Sequence, residues 1–291
     1  MKIESLAKIK DGRQDGAIFN GFLFSFNAVG ECSVYEIEKL NVLNGGEAEA
    51  FSEFVLDKKD ILVPHSNAVM FGSEYYDKAD EFPLLYSNVY NNYAKESNKQ
   101  KGVCLVYRLQ RKDKEFKTTL VQIIEIGFTE DESLWKSAGE KEDVRPYGNF
   151  TIDAENGIYY AFTMRDNTNS TRYFAFELPK AEQGELCEEY NAKKVVLNKS
   201  DIKEYFDCPY HHYVQGACCH KGKIYSLEGF TGSQENPPAI RVIDTKLKKE
   251  TVFKKFGDYG INVEPEMIDF KEDICYYTDH HGNVYKLDLA D

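Results

Sequence analysis

The sequence has 291 residues, enough for one large all-β domain or for two domains of ordinary size. Its 20 tyrosines and 19 phenylalanines favour β-strands, where flat side chains pack on a pleated surface. The net charge of −13, with only 36 lysines and arginines, argues against nucleic acid and anionic membranes as partners.

Hydrophobic runs and cysteines indicate the expected compartment. No apolar run approaches the roughly 20 residues that cross a bilayer, and Met1 is followed by a polar segment instead of a signal-peptide core. We therefore expect a soluble cytoplasmic protein, or an exported one if a signal peptide has been removed. The seven cysteines are an odd number, and several lie in apolar strand-like runs, which predicts buried reduced thiols.

Along the chain, five stretches share a polar start, a short strand with small residues, a turn, and a second strand rich in Tyr or Phe. They begin near residues 15, 65, 148, 215 and 264. The first and fourth match best, because each has a Gly-Ala pair after a polar residue, at Gly16 and Gly216. Most are followed by two further strand-like segments. Four strands per unit is typical of a propeller blade, so the sequence predicts an all-β, five-bladed β-propeller.

We expect a single propeller domain over residues 1–291, with blades at about 11–57, 65–127, 148–198, 214–256 and 264–291. The fifth unit has only three strand-like segments, and residues 1–9 alternate well enough to supply its outer strand and close the ring. A two-domain β-sandwich protein is the alternative architecture. Residues 200–206, with Ser200 as the N-cap, are the best helix candidate.

Polar residues from every blade are predicted to meet at one mouth of the central channel. Successive strands of a blade alternate in direction, so the starts of the first strands share a face with the loops between second and third strands. The predicted binding residues are Asp15, His65, Asn67, Arg145, Tyr147, Asn149, His211, His212, Gln215, Glu264 and Glu266. Together they favour a small polar ligand or a peptide as the partner, against the alternative of a solvated channel lining.

Two long connections are predicted on the same face of the ring. Residues 128–146 include the only tryptophan, Trp135, and residues 199–213 include Tyr210. Loops of this length often form lids or pocket walls.

No metal or cofactor is expected. Adjacent histidines on a strand point to opposite faces, so a metal site would need ligands from several blades, such as His65, His212 and Glu266. The segment Asp279–Asn283 is interpreted as a polar hairpin turn.

A propeller enzyme of the glycoside hydrolase or lyase type is the alternative function, although no catalytic residue is assigned. Closure of the ring would bring Asp15 near Glu264 or Glu266, and two close carboxyl groups can divide into an acid and a base. A solvated acidic rim would give the same pattern.

Residues 213–229 resemble the Thr-Gln-Gly-Leu…Gly…Leu-Tyr-Glu-Ser-Thr-Gly blade motif of the plant-type glutaminyl cyclotransferases. The matching positions are Gln215, Gly216, Gly222, Tyr225 and Gly229. The resemblance implies a five-bladed propeller and adds cyclotransferase chemistry to the alternatives. Ser226 stands where that family has its glutamate, and Glu228 lies two places later. A separate bacterial propeller family is therefore the preferred assignment.

Overall fold

The computed structural model describes residues 1–10, 14–62, 65, 67–89, 102–129, 131–135, 144–165 and 168–289, without the side chains of residues 132, 135 and 144–148. Its strands are β1 (Lys2–Lys8), β2 (Gly16–Phe19), β3 (Phe22–Phe26), β4 (Glu31–Glu36), β5 (Ser52–Val55), β6 (Val69–Phe71), β7 (Leu85–Val89), β8 (Val103–Lys112), β9 (Glu115–Ile126), β10 (Val144–Asp153), β11 (Ile158–Arg165), β12 (Ser170–Glu177), β13 (Glu185–Cys187), β14 (Ala192–Leu197), β15 (Glu204–Pro209), β16 (Val214–His220), β17 (Lys223–Glu228), β18 (Ala239–Asp244), β19 (Lys249–Lys255), β20 (Pro265–Lys271), β21 (Ile274–Asp279) and β22 (Asn283–Asp288).

Helix is scarce in the described ranges. It consists of α1 (Ile37–Leu40), α2 (Glu132–Trp135) and two 3-10 turns, Lys199–Asp201 and Phe256–Tyr259. None of these helices is long and apolar enough to span a membrane.

The strands form five sheets arranged in a ring, so the predicted five-bladed β-propeller is confirmed. Blade 1 is β2–β5, blade 3 is β10, β11, β12 and β15, blade 4 is β16–β19, and blade 5 is β20–β22 with β1 on its outer edge. Contacts of β2 with β6, of β10 with β7 and β16, and of β20 with β16 and β2 set the order of the blades around the channel.

The N-terminal strand closes the ring as predicted. Strand β1 pairs antiparallel with β22, from Lys2 opposite Asp288 to Lys8 opposite Asn283. Its apolar residues Leu6 and Ala7 are buried in the core between blades 5 and 1. The last blade is therefore built from both ends of the described chain.

Blade 2 is larger than expected, and this corrects the predicted boundary of blade 3. Strands β6–β9 are extended by β14 and β13, and β14 pairs in parallel with β9 from Lys193 opposite Gln122 to Leu197 opposite Ile126. These residues were assigned to blade 3, at 148–198. The outer strand of blade 3 is instead β15, which pairs with β12.

The same region corrects the helix prediction for residues 200–206. Only the turn Lys199–Asp201 is helical, and its N-cap is Asn198 instead of Ser200. Phe206 and Cys208 are two residues apart on β15, and both are buried. This period of two lets the segment bury one face by pairing with β12, which outweighs its local helix signals.

Apolar side chains form five clusters among the described residues, one in each junction between neighbouring blades. Strand β3 shows how the alternation works. Phe22, Phe24 and Phe26 face blade 2, while Leu23 faces blade 5. Because successive side chains of a strand point to opposite faces, one phenylalanine-rich strand supplies two cores.

Side-chain acceptors link the innermost strands of neighbouring blades. Asp269 Oδ2 accepts from the backbone N–H of Ile18 at 2.7 Å, and Asp15 Oδ2 accepts from that of Val69 at 2.8 Å. The sulfur of Met70 accepts from Ile152 N at 2.9 Å. The innermost strand of a blade has no further strand on its channel side, so its buried N–H groups on that side need other acceptors. Each of these side-chain acceptors therefore holds two neighbouring blades together.

Asp269 makes the closing junction sensitive to pH. Desolvation raises the pKa of its carboxyl from 3.8 to about 7, although bonds from the Ile18 and Phe270 N–H groups oppose the rise. A raised carboxyl pKa means that the folded chain binds the proton more tightly than the unfolded chain. Its contribution is most favourable below about pH 4, declines as pH rises towards 7, and is constant above that.

We expect Asp269→Asn to remove this decline, because an amide does not titrate. The free energies of unfolding of variant and wild type are measured by urea denaturation from pH 4 to 8. Their difference should change in favour of the variant by up to about 1.4 kcal/mol per pH unit. Asp113→Asn, in the β8–β9 turn, is the control for the loss of an exposed carboxyl group. If the free energy of unfolding of Asp269→Asn depends on pH as that of the wild type does, the interpretation is wrong.

All seven cysteines are free thiols, and five of them are buried. Burial raises the pKa of each buried thiol for which a shift is resolved, for example that of Cys208 to about 11. The structure agrees with the expected reduced, packed thiols.

Candidate functional site

A chain of asparagine side chains crosses from blade 2 to blade 4 at the predicted mouth of the channel. The side-chain NH2 of Asn88 donates to Asn67 Oδ1 and, at 3.3 Å, to Asn149 Oδ1. Asn149 Nδ2 donates in turn to the backbone oxygen of Val214 at 3.4 Å. All three asparagines are buried, so the predicted residues Asn67 and Asn149 first serve to join inner strands.

A second polar group joins blades 4 and 5. Gln215 Nε2 donates to Glu264 Oε1 at 2.5 Å and to the backbone oxygen of Gly229 at 3.1 Å. Glu266, only 2% exposed, contacts His280 through Oε1 and Nδ1 at 2.7 Å. Three predicted residues from two blades therefore lie together, and His280 joins them.

Asp15 connects this group to blade 1. It is 1% exposed, and its Oδ2 is bonded to Val69 N while its Oδ1 has no hydrogen-bond partner among the described residues. A Cβ atom placed on Gly216 would overlap the backbone oxygen of Glu266 and lie 3.4 Å from Asp15 Oδ1. Only glycine lets the inner strands of blades 4 and 5 approach this closely beside the Asp15 carboxyl group, which explains the Gly-Ala pair of the fourth repeat.

The carboxyl groups at the mouth hold their protons more tightly than usual. Burial raises the pKa of Asp15 well above its usual range, and the charges of Asp269 and Glu266 raise it further. Burial and the neighbouring Glu264 and Asp279 do the same for the pKa of Glu266. The charge of Glu266 acts on Asp15, as expected if closure of the ring brings a blade 5 carboxyl group near blade 1.

His65 responds to burial in the opposite sense. Desolvation lowers the pKa of its ring to about 4, since a buried imidazole resists taking a charge. The ring is neutral at physiological pH and can offer one donor and one acceptor.

Aromatic rings lie on the connection that leads into β16. The ring of His212 stacks on Tyr210 and Tyr213, with centroids 5.2 and 5.5 Å apart, and Tyr213 stacks on Phe230 at 6.0 Å. The backbone N–H of His212 donates to Asn236 Oδ1 at 3.2 Å. The prediction of one long connection over residues 199–213 is corrected, because Glu204–Pro209 form strand β15 and only the residues after it carry the stacked rings beside the β17–β18 loop.

Four other residues named in the sequence analysis do not contribute to this group: His211 lies over another part of blade 4, and the side chains of the other three are not among those described. His211 points over the outer strands of blade 4, with its ring 4.8 Å from that of Phe253, and burial lowers its pKa. The side chains of Arg145, Tyr147 and Trp135 lie outside the described residues. The carboxyl group that His211 contacts is that of Glu228, whose Oε2 accepts from the His211 backbone N–H at 3.0 Å.

The motif that resembles the cyclotransferases contributes a buried polar cluster to blade 4. Glu228 is buried and forms an ion pair with Arg241, Nε to Oε1 at 3.0 Å, and it also accepts from the Ser226 hydroxyl at 3.2 Å. Ser226 is buried as well. In this chain these two polar groups therefore bind each other and Arg241 within the blade.

His280 and Asn88 are site residues that the sequence analysis missed. His280 lies between second and third strands, a position already expected at this mouth, but the segment was interpreted only as a turn. The turn is present, with Gly282 at φ 78°, yet its first histidine also reaches Glu266. Within the described ranges, no three His, Cys, Asp or Glu side chains are grouped so that they could hold a metal ion.

The fold defines the class of the protein as a five-bladed β-propeller. No family model and no curated protein matches the sequence. Among solved structures, a GH43 β-1,3-galactosidase with galactodeoxynojirimycin has a TM-score of 0.50 at 9% identity, over 99% of this chain and 96% of that chain. Glutaminyl cyclase from Myxococcus xanthus has a TM-score of 0.49 at 10% identity, over 100% and 96%. At such identities the likeness concerns the fold alone.

Proposed function

We propose that this propeller binds a small polar ligand at the channel mouth, and that the ligand presents hydrogen-bond donors such as hydroxyl or ammonium groups. The observation that carries the proposal is the convergence of Asp15, Gln215, Glu264 and Glu266 from three blades. Their arrangement leaves the buried Asp15 Oδ1 without a partner among the described residues. An unsatisfied buried acceptor is costly, and a ligand donor would relieve that cost.

Charge and shape support the same ligand class. The net charge of −13 disfavours anions near this acidic mouth. The stacked rings of Tyr210, His212 and Tyr213 add an apolar wall beside the polar groups. Convergent polar groups beside aromatic side chains are typical of small-molecule sites.

The test is a thermal-stability screen against sugars, polyols, amines and short peptides, followed by calorimetry on the best ligand. Glu266→Gln should weaken its binding by about 1.5 to 3 kcal/mol, the usual loss for a charged hydrogen bond, and His212→Ala by about 0.5 to 1.5 kcal/mol through lost stacking, each with little change in fold. Glu115→Gln, at the exposed start of β9, is the matched control and should bind normally. A ligand that binds equally well to all variants would overturn the proposal.

A second candidate is an enzyme that uses the same mouth, and the neighbouring Asp15 and Glu266 carboxyl groups favour it. Burial raises the pKa of both groups, which is the direction of shift that a general acid requires. Turnover of a ligand found in the screen, with a rate that Glu266→Gln abolishes while binding persists, would distinguish an enzyme from a binding protein.

A further inference from the structure

A second cleft lies between blades 4 and 5, away from the mouth. It has a volume of about 790 Å³ and reaches Lys221 and Asp273, in the β16–β17 and β20–β21 turns. It is also lined by His220, at the end of β16, whereas Gln215 is near the start of that strand. Five residues of extended strand span about 17 Å, so the cleft and the mouth are separate places.

The floor of the cleft is apolar and comes from the outer strands of blade 5. Ile3 of β1 is opposite Leu287 of β22, which is opposite Cys275 of β21. Residues directly opposite one another share a face of the sheet, and these three belong to the core on the blade 4 side. The outer part of that core is open in the cleft.

The wall on the blade 4 side is aromatic. The ring of His220 stacks on Phe270 with centroids 4.1 Å apart and planes 5° apart, and Tyr225 packs on Phe270 at 4.7 Å. These rings give the cleft a flat surface against which a planar apolar group can pack.

The charged residues that line the cleft are four lysines and three carboxylates, namely Lys2, Lys221, Lys223 and Lys286 against Glu4, Asp273 and Asp288. Lys223 is two residues before Tyr225 on β17, so both side chains point to the cleft. Lys221 pairs with Asp273, and His220 Nε2 is 3.4 Å from the same carboxylate. Asp244 of β18 is directly opposite Lys223, but no ion pair of Lys223 with this or another carboxylate is formed among the described residues.

The acidic side chains of the outer strands do not supply a partner for Lys223. Glu4 and Asp288 also line the cleft, but they alternate with Ile3 and Leu287, so their side chains point away from its apolar floor. On their side of the sheet Lys286 lies over the ring of Tyr276, at 6.0 Å. The cationic group that faces the open apolar floor is therefore Lys223.

We propose that this cleft is a second binding site, for a small anion with a flat apolar body, such as an aromatic carboxylate or sulfonate. The apolar body lies on Leu287 and Phe270, and the acidic group pairs with Lys223. A volume of about 790 Å³ is within the roughly 300–1,000 Å³ of small-molecule sites, which also combine apolar walls with few polar groups. The site does not depend on the function proposed for the channel mouth.

The test uses the fluorescent anion 1-anilinonaphthalene-8-sulfonate and its neutral analogue N-phenyl-1-naphthylamine, both titrated into the full chain. The anion should bind at one site per chain, and Lys223→Glu should weaken its binding about tenfold, as expected for a lost charged contact. The neutral dye should bind wild type and variant within about twofold. Lys249→Glu, an exposed lysine on β19 of the same blade, is the matched control and should leave both dyes unaffected.

Lys223→Gln should give a smaller loss in the same direction, and Glu266→Gln at the mouth should leave dye binding unchanged. Equal anion binding by Lys223→Glu and Lys249→Glu, or no anion binding by the native chain, would overturn the proposal. An equal loss of both dyes in Lys223→Glu would also overturn it, because the charge would then play no part. Loss of anion binding in Glu266→Gln would place the dye at the mouth and overturn the separate site.

Discussion

Deletion of residues 1–9 should unfold most of the chain or cause it to aggregate. The deletion removes β1, which completes the sheet of blade 5, and with it the buried side chains of Leu6, Ala7 and the following Ile9. Loss of these contacts costs about 4 to 7 kcal/mol, similar to the whole stability of many domains, and it exposes β22 as an open edge. Urea denaturation and size-exclusion chromatography measure the two effects.

The loss extends beyond blade 5, because β1 also contacts blade 1. Lys8 N donates to Gly46 O at 2.9 Å, and Gly45 N donates to Leu6 O at 2.8 Å. The control replaces the exposed Lys2, Glu4 and Ser5 of the same strand by alanine, which keeps the backbone pairing and should cost less than about 1 kcal/mol. A truncated chain that is as stable and as monomeric as the control would contradict the closure by β1.

Replacement of Arg241 by methionine should destabilise the chain by about 3 to 5 kcal/mol. Arg241 and Glu228 are 3% and 1% exposed, and the guanidinium donates to both carboxylate oxygens at 3.0–3.1 Å. Without the arginine, the Glu228 carboxylate is left buried without its cation, and its pKa, already raised by burial, rises further. The free energy of unfolding in urea measures the cost.

An exposed pair of the same kind is the control for this experiment. Arg111 also binds a carboxylate with two N–H groups, those of Nε and Nη2, to Glu81 at 2.9 and 2.7 Å. Its side chain and that of Glu81 are 28% and 30% exposed, so Arg111→Met should cost only about 1 kcal/mol. Similar costs for the two arginines would show that burial of Glu228 has no special effect. Combining Arg241→Met with Glu228→Gln should recover part of the loss, because no charge is then buried.

Local patterns were enough to predict the strands, the five units and the closing strand β1. The alternation along β3 depends only on residues that are neighbours in the sequence. The Gly-Ala pairs mark two places, Gly16 and Gly216, where the backbone of another strand comes too close for a side chain. Strand direction alone also predicted Gln215, Glu264 and Glu266 on one face of the ring, and these three residues are neighbours in the structure.

Only the tertiary structure decided which strands pair and where individual polar side chains lie. Strand β14 joins β9 in parallel across about 70 residues of sequence, and no local signal specifies such a partner. His280 reaches Glu266, and Asp269 binds Ile18 N, because closure of the ring joins residues that are distant in sequence. The period of a strand fixes which face a side chain occupies, but its partner on that face depends on the blade packed against it.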